Sequence, residues 1–162
     1  MQRPRRLYQS RRGPRESAIA ARARLAYAAI SIDLVLAMTF KPLVAIVDDD
    51  PSMRDATSNL LEAEGMSTAT FADAQAFLQS AGKLRAACLL ADLRMPGMSG
   101  LQLHQHLVAA GISIPTILIT AFASDETRVR AREAGIVCCL AKPFAPDELL
   151  ECVGKALGKP KS

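Results

Sequence analysis

Tryptophan is absent from this 162-residue chain, and aromatic residues of every kind make up only 4% of it. A core built from it is therefore aliphatic. Histidine is almost as scarce. His104 and His106 lie two positions apart on a predicted helix, where they diverge by roughly 200° and cannot share a metal ion. Each reads as a partly exposed helix residue. The four cysteines, Cys88, Cys138, Cys139 and Cys152, form no C-x-x-C pair, which removes the usual zinc and dithiol patterns. Adjacent Cys138 and Cys139 point to opposite faces of a strand, and the expectation is reduced, buried thiols in a cytosolic protein. No transmembrane segment is expected: the mostly apolar stretch from Leu25 to Phe40 is short for one and contains Asp33. No small-residue cleavage pattern follows the long basic leader, and no internal repeat is present.

Acidic residues are also few where basic ones abound. Residues 1–41 carry nine Lys and Arg against Glu16 and Asp33, a net +7, whereas residues 42–162 carry a net −3. The two parts read as different objects. Residues 1–41 are an Ala/Arg-rich extension, expected to be disordered near the Arg/Pro-rich start and partly helical over the Ala-rich 17–37. Ser10-Arg11-Arg12 is similar to a twin-arginine export signal but lacks the apolar run directly after it. Met38 is a natural start, which makes residues 1–37 an upstream extension; a membrane-surface or docking helix is the alternative. The Arg-rich segment allows weak, salt-sensitive nucleic-acid contact, but no specific nucleic-acid binding is expected.

From Leu43 onward the chain alternates strand and helix. Leu43-Val44-Ala45-Ile46-Val47 runs into Asp48-Asp49-Asp50, and Cys88-Leu89-Leu90-Ala91 runs into Asp92. Thr116-Ile117-Leu118-Ile119 runs into Thr120, and Ile136 to Leu140 runs, one residue on, into Lys142-Pro143. Short apolar runs bounded by breakers read as buried parallel strands, with Ser67 to Phe71 a weaker, polar edge strand. Between them, Asp50 caps a helix with Pro51 at its first position and Met53, Thr57, Leu60 and Leu61 along one face. Asp73 to Ser80 is a short helix burying Phe77 and Leu78. Ser99 caps the next, whose inner stripe is Leu101, His104, Leu107 and Val108. A helix over Glu126 to Ala134 has Val129 as its only large apolar residue and should be loosely held. The last carries Leu149, Leu150, Val153 and Leu157. Strict alternation of this kind makes a parallel sheet covered on both faces. The ligand crevice of such a sheet lies at the carboxyl ends of its strands, where this chain collects three carboxylates, a hydroxyl and an ammonium. That set suits Mg²⁺ and a phosphoryl group.

The motifs Ile46-Val47-Asp48-Asp49-Asp50, Asp92-Leu93-Arg94-Met95-Pro96-Gly97-Met98-Ser99-Gly100, Ile119-Thr120-Ala121 and Lys142-Pro143-Phe144 occur in order. Successive intervals from Asp48 to Asp92, Thr120 and Lys142 are 44, 28 and 22 residues. In wording and spacing, residues 43 to 158 resemble the receiver domain of bacterial two-component response regulators, and especially those of nitrogen-fixation regulators. The resemblance implies an α/β, flavodoxin-like (βα)₅ fold over residues 42–158, with strand order 2-1-3-4-5 and a short tail at 159–162. It implies that Asp92 accepts a phosphoryl group. Asp49, Asp92 and the backbone carbonyl of Arg94 would bind Mg²⁺ directly and Asp48 through water. Thr120 and Lys142 would contact the phosphoryl group, with Pro143 as the cis-proline that aims Lys142. Asp50 reads only as a helix cap.

Two positions depart from the family pattern. Cys139 stands where an aromatic residue normally rotates inward as Thr120 is drawn to the phosphate, which predicts altered coupling to the surface of the fourth helix, fifth strand and fifth helix. Phe122 is a candidate to take over part of that switch role. It cannot hold an attacking water, which predicts slow self-dephosphorylation. Arg128, Arg130 and Arg132 read as a solvated face. With the chain ending at Ser162, the expectation is a single-domain, cytoplasmic regulator phosphorylated by a sensor histidine kinase or phosphotransfer protein. It would act on an unknown output protein, with self-phosphorylation and self-dephosphorylation as its only chemistry. A receiver that binds partners without phosphorylation is the alternative. A haloacid-dehalogenase-type phosphohydrolase would need D-x-D-x-T at the first strand, and Asp48-Asp49-Asp50-Pro51-Ser52 does not supply it.

Overall fold

Five runs of four or five residues become the strands of one parallel sheet: β1 Leu43–Val47, β2 Ser67–Phe71, β3 Cys88–Asp92, β4 Thr116–Thr120 and β5 Cys138–Ala141. Their order is β2-β1-β3-β4-β5, and every pairing is parallel. The structure is a computed structural model that describes residues 22, 41–122 and 124–158; the expectations for the N-terminal extension and Met38 lie outside the described residues. Central β3 and β4 are buried at every position, while edge strand β2 is half-buried. This matches its polar composition.

Five α-helices alternate with the strands: α1 Pro51–Ala63, α2 Ala74–Gln79, α3 Gly100–Ala109, α4 Asp125–Glu133 and α5 Pro146–Ala156. Their starts follow the capping residues. Asp50 accepts from the backbone N–H groups of Ser52 and Met53 at 2.9 and 3.4 Å, and Asp73 from Ala76 at 2.7 Å. Ser99 and Gln102 form a reciprocal capping box on α3. Gly65, at φ +80°, turns the chain out of α1 in a conformation that favours glycine.

Alternation of side chains divides the core in two. Val44, Ile46, Leu90, Ile117 and Ile119 pack with Leu61 of α1 and Leu149 and Val153 of α5 on one face. Ala45, Val47, Leu89 and Leu118 pack with Phe77 of α2, Leu103 and Leu107 of α3 and Ala131 of α4 on the other. Cys138 joins the first layer and Cys139 the second, as neighbours on a strand must.

Several expectations are corrected. His104 is buried, not partly exposed. Its Nδ1 lies 2.9 Å from the Thr116 hydroxyl and its Nε2 2.9 Å from the Ala134 carbonyl, so the ring's polar atoms find partners inside the fold. Val108, read on the inner stripe of α3, is exposed. On α4 the buried residue is Ala131, and Val129, its one large apolar residue, is exposed. The ring of His104, tied to the residue that ends α4, supplies part of the hold that apolar contacts do not. Strand β5 starts at Cys138 rather than Ile136 because the Ile136 N–H donates to Ala131, closing α4. Finally, Cys138 and Cys152 are joined in a disulfide with Cα atoms 5.9 Å apart, not held as two thiols: successive elements β5 and α5 pack face to face and bring them together. Cys88 and Cys139 are free.

Candidate functional site

The carboxyl ends of β1 and β3 lie side by side, with Val47 paired to Ala91, so Asp48 and Asp92 emerge together. Ligand oxygens of Asp48, Asp49 and Asp92 all lie within 4.8 Å of one another. Asp48 and Asp92 are buried and Asp49 is exposed. Such a cluster repels itself and favours a cation. The Lys142 ammonium answers part of that charge, donating to Asp48 Oδ2 at 3.0 Å and Asp92 Oδ2 at 2.6 Å. Burial alone would lower the Lys142 pKa, but these bonds and charges outweigh it and hold the group above its ordinary value.

Backbone geometry delivers Lys142. Its N–H donates to the Thr120 carbonyl at 2.7 Å, continuing the β4–β5 ladder one residue past its end, and the Lys142–Pro143 peptide is cis. Thr120 is fully buried. Its hydroxyl accepts from the Phe122 N–H and donates to the Phe122 carbonyl, both at 3.2 Å. The remaining carboxylate oxygens are aimed by backbone: Asp48 Oδ1 accepts from Asp50 N–H at 2.8 Å and Asp92 Oδ1 from Arg94 N–H at 2.9 Å. A cleft of about 560 Å³ bordered by Asp49, Asp73, Pro96 and Gly97 opens beside the acidic cluster. Gly97, at φ +80°, makes the turn from β3 into α3.

The structure therefore brings Asp48, Asp49, Asp92 and Lys142 into one set, with Thr120 at the end of β4 and Arg94 on the loop after β3. Oxygen donors in this number fit a hard divalent cation such as Mg²⁺. Cys139 is set apart from them. It is half-buried on the α3/α4 side, where burial raises its pKa and the nearby Arg128 charge partly offsets this. Phe122 points outward, 67% exposed, with the Arg94 guanidinium 5.2 Å over its ring. The side chains that follow β3 and β4 thus meet across the mouth of the site. Neither this stack nor the bond from the Arg54 guanidinium to the Asp48 carbonyl at 2.6 Å is foreshadowed by the sequence, although Arg54 falls one helical turn after the Asp50 cap. Arg128, Arg130 and Arg132 are exposed, with Arg130 paired to Glu126 at 2.6 Å.

Residues 44–154 match the family described as the response regulator receiver domain. The chain is 40% identical over 113 residues to Nodulation protein W of Bradyrhizobium diazoefficiens, covering 70% of this chain and 50% of that protein. It is 35% identical over 120 residues to Transcriptional regulatory protein FixJ of the same organism, covering 74% of this chain and 58% of that protein. It thus spans about half the length of the curated relatives it matches. Among solved structures, FixJ-N superimposes with TM-score 0.68 at 33% identity, covering 76% of this chain and 99% of that one. Response regulator StyR does so with TM-score 0.68 at 40% identity, covering 74% and 60%. Fold, site geometry and sequence agree: the chain belongs to the receiver-domain family of two-component response regulators.

Proposed function

We propose that residues 42–158 form a working phospho-receiver in which Asp92 is the acceptor and Mg²⁺ the required ion. The observation that carries this is the Lys142 ammonium bridging Asp48 and Asp92 with Asp49 beside them. Three carboxylates and one ammonium within one crevice support reading Asp92 as the nucleophile, the cluster as the cation site and Lys142 as the fixed positive charge. Asp48, Asp49, Asp92 and the Arg94 carbonyl would hold the ion, which when bound offsets negative charge on the transferring group. Asp92 attacks the phosphorus of a phosphohistidine, the new O–P bond forming as the N–P bond breaks and the imidazole leaves. Lys142 then pairs with the phosphoryl group in place of the carboxylate it holds at rest. The Thr120 hydroxyl exchanges its bond to the Phe122 carbonyl for one to a phosphoryl oxygen.

The donor in this reading is a sensor histidine kinase or phosphotransfer protein in the cytoplasm. The output is binding to another protein or onward transfer of the phosphoryl group, with no turnover of a separate substrate. Residues 1–41 serve as an extension outside this chemistry. Intact mass after incubation with Mg²⁺ and acetyl phosphate tests the proposal. One phosphate should add, and it should fail to add to Asp92→Asn or without Mg²⁺. A folded wild-type protein that gains none would favour the second reading, a phosphorylation-independent binding module. Cys139 motivates that reading, since a thiol cannot serve as the aromatic switch.

A further inference from the structure

Among the described residues, edge strand β5 is paired on one side only, to β4, yet it leads directly into Lys142. Cys138 opens this strand, and Cys152, 14 positions later, sits on the inner face of α5. The bond between them closes a ring that contains Lys142, Phe144 and the first turn of α5. Their Cα separation of 5.9 Å falls within the roughly 4.4–6.8 Å span that a disulfide needs. Both residues also belong to the aliphatic layer with Ile117, Leu149 and Val153. There, two thiols would pack as small apolar groups, so the fold accommodates both the bonded and the reduced pair. The other two cysteines are placed as bystanders. Cys88 is fully buried, and its thiol is pushed up to about 12 by that burial. Cys139 faces the opposite layer.

We propose that Cys138 and Cys152 are a reversible thiol–disulfide site that clasps the segment carrying Lys142. In a reducing compartment, disulfides are characteristically transient and redox-sensing. The oxidant class is a low-molecular-weight disulfide. Half-buried Cys138 is the accessible partner. Its thiolate attacks one sulfur of the oxidant, forming a mixed disulfide and expelling one small thiolate. The Cys152 thiolate then attacks the Cys138 sulfur and expels the second. Two electrons pass to the oxidant, and the two protons lost by the cysteines end on the expelled thiols. The clasp forms regardless of phosphorylation; the meeting of the clasped Lys142 with a phosphoryl group rests on the function proposed above.

The test equilibrates the full chain with glutathione and glutathione disulfide at graded ratios, then denatures and alkylates it for intact mass. Two alkylated cysteines are expected on the oxidised side and four after reduction, with Cys88 and Cys139 modified throughout. Amide exchange over 139–151 should be about tenfold slower in the oxidised form. The Cys138→Ser/Cys152→Ser double variant should show one exchange rate at every ratio. Four alkylated cysteines under all ratios, pairing through Cys139, or equal exchange in both forms would each overturn the clasp. Acetyl phosphate labelling of the two forms separates the readings. Loss of labelling in both refutes the phospho-acceptor, while the thiol count and the exchange rates still judge the clasp.

Discussion

Of the described glycines, Gly100, the first residue of α3, leaves the least room for a side chain. A Cβ there would sit 2.5 Å from the Asp92 carbonyl oxygen and 3.0 Å from both Ala91 Cβ and Leu118 Cδ2. An ordinary C···O contact is about 3.3 Å, so Gly100→Ala must drive α3 and the end of β3 apart by about 0.8 Å. The obstacle is backbone, which cannot rotate away. Overpacking of this kind costs about 1–3 kcal/mol, and the small gain in helix propensity at a first-turn position offsets little of it. A net loss of about 2 kcal/mol corresponds to a melting temperature lower by about 8 °C in a domain of this size. Gly154→Ala is the matched control. Gly154 lies inside α5 and nothing stands within 4 Å of its added Cβ, so that variant should gain about 0.5–1 kcal/mol. Urea unfolding of both variants, compared by midpoint at constant slope, gives the answer. Gly100→Ala should also be phosphorylated more slowly, since the displaced carbonyl belongs to Asp92, the proposed acceptor. Stability at or above wild type in Gly100→Ala would refute the reasoning, because it would mean that α3 yields freely at the site.

Three further outcomes follow from the geometry. Lys142→Met leaves buried Asp48 and Asp92 without their shared cation, so stability should fall by about 2–4 kcal/mol and the rise in melting temperature on adding Mg²⁺ should exceed that of wild type; equal Mg²⁺ shifts in calorimetry would argue against the shared-cation role. Cys88 has its pKa raised by burial from an ordinary 9.0 to about 12, so its contribution is complete below the unfolded value and is lost as pH rises toward the folded one. The stability difference between wild type and Cys88→Ala should accordingly narrow by up to about 1.4 kcal/mol per pH unit between pH 9 and 11, and denaturant titrations showing parallel curves would contradict the burial effect. Phe122→Asn removes the ring stacked on Arg94 and offers a group able to hold water, so the phosphoryl half-life followed by mass should shorten severalfold; an unchanged half-life would dissociate Phe122 from dephosphorylation.

The strands and the acidic cluster were legible because their signals are local. Aliphatic runs of four or five residues ending in Asp48, Asp92 and Thr120 mark strand ends, and a parallel sheet necessarily gathers those ends on one edge. Caps at Asp50 and Ser99 announced helix starts for the same reason: cap and helix adjoin in sequence. His104 was misjudged because its partners, Thr116 and Ala134, lie 12 and 30 residues away. The helix pattern put it on the inner stripe of α3, but the partners that let a polar ring be buried there are invisible to that pattern. The inner face of α4, marked by Ala131, was not legible because so short and polar a helix has no apolar periodicity strong enough to define it.

By itself, then, the sequence determined the alternation of strand and helix, the edge on which the chemistry collects, and the residue types collected there. Tertiary structure alone decided what those residues touch. It brought Lys142 between Asp48 and Asp92 across separations of 94 and 50 residues, stacked Arg94 on Phe122, and joined Cys138 to Cys152. The physical reason is range. Backbone propensity and hydrophobic periodicity act within a turn or a strand, whereas an ion pair, a ring stack or a disulfide depends on the docking of elements distant in sequence.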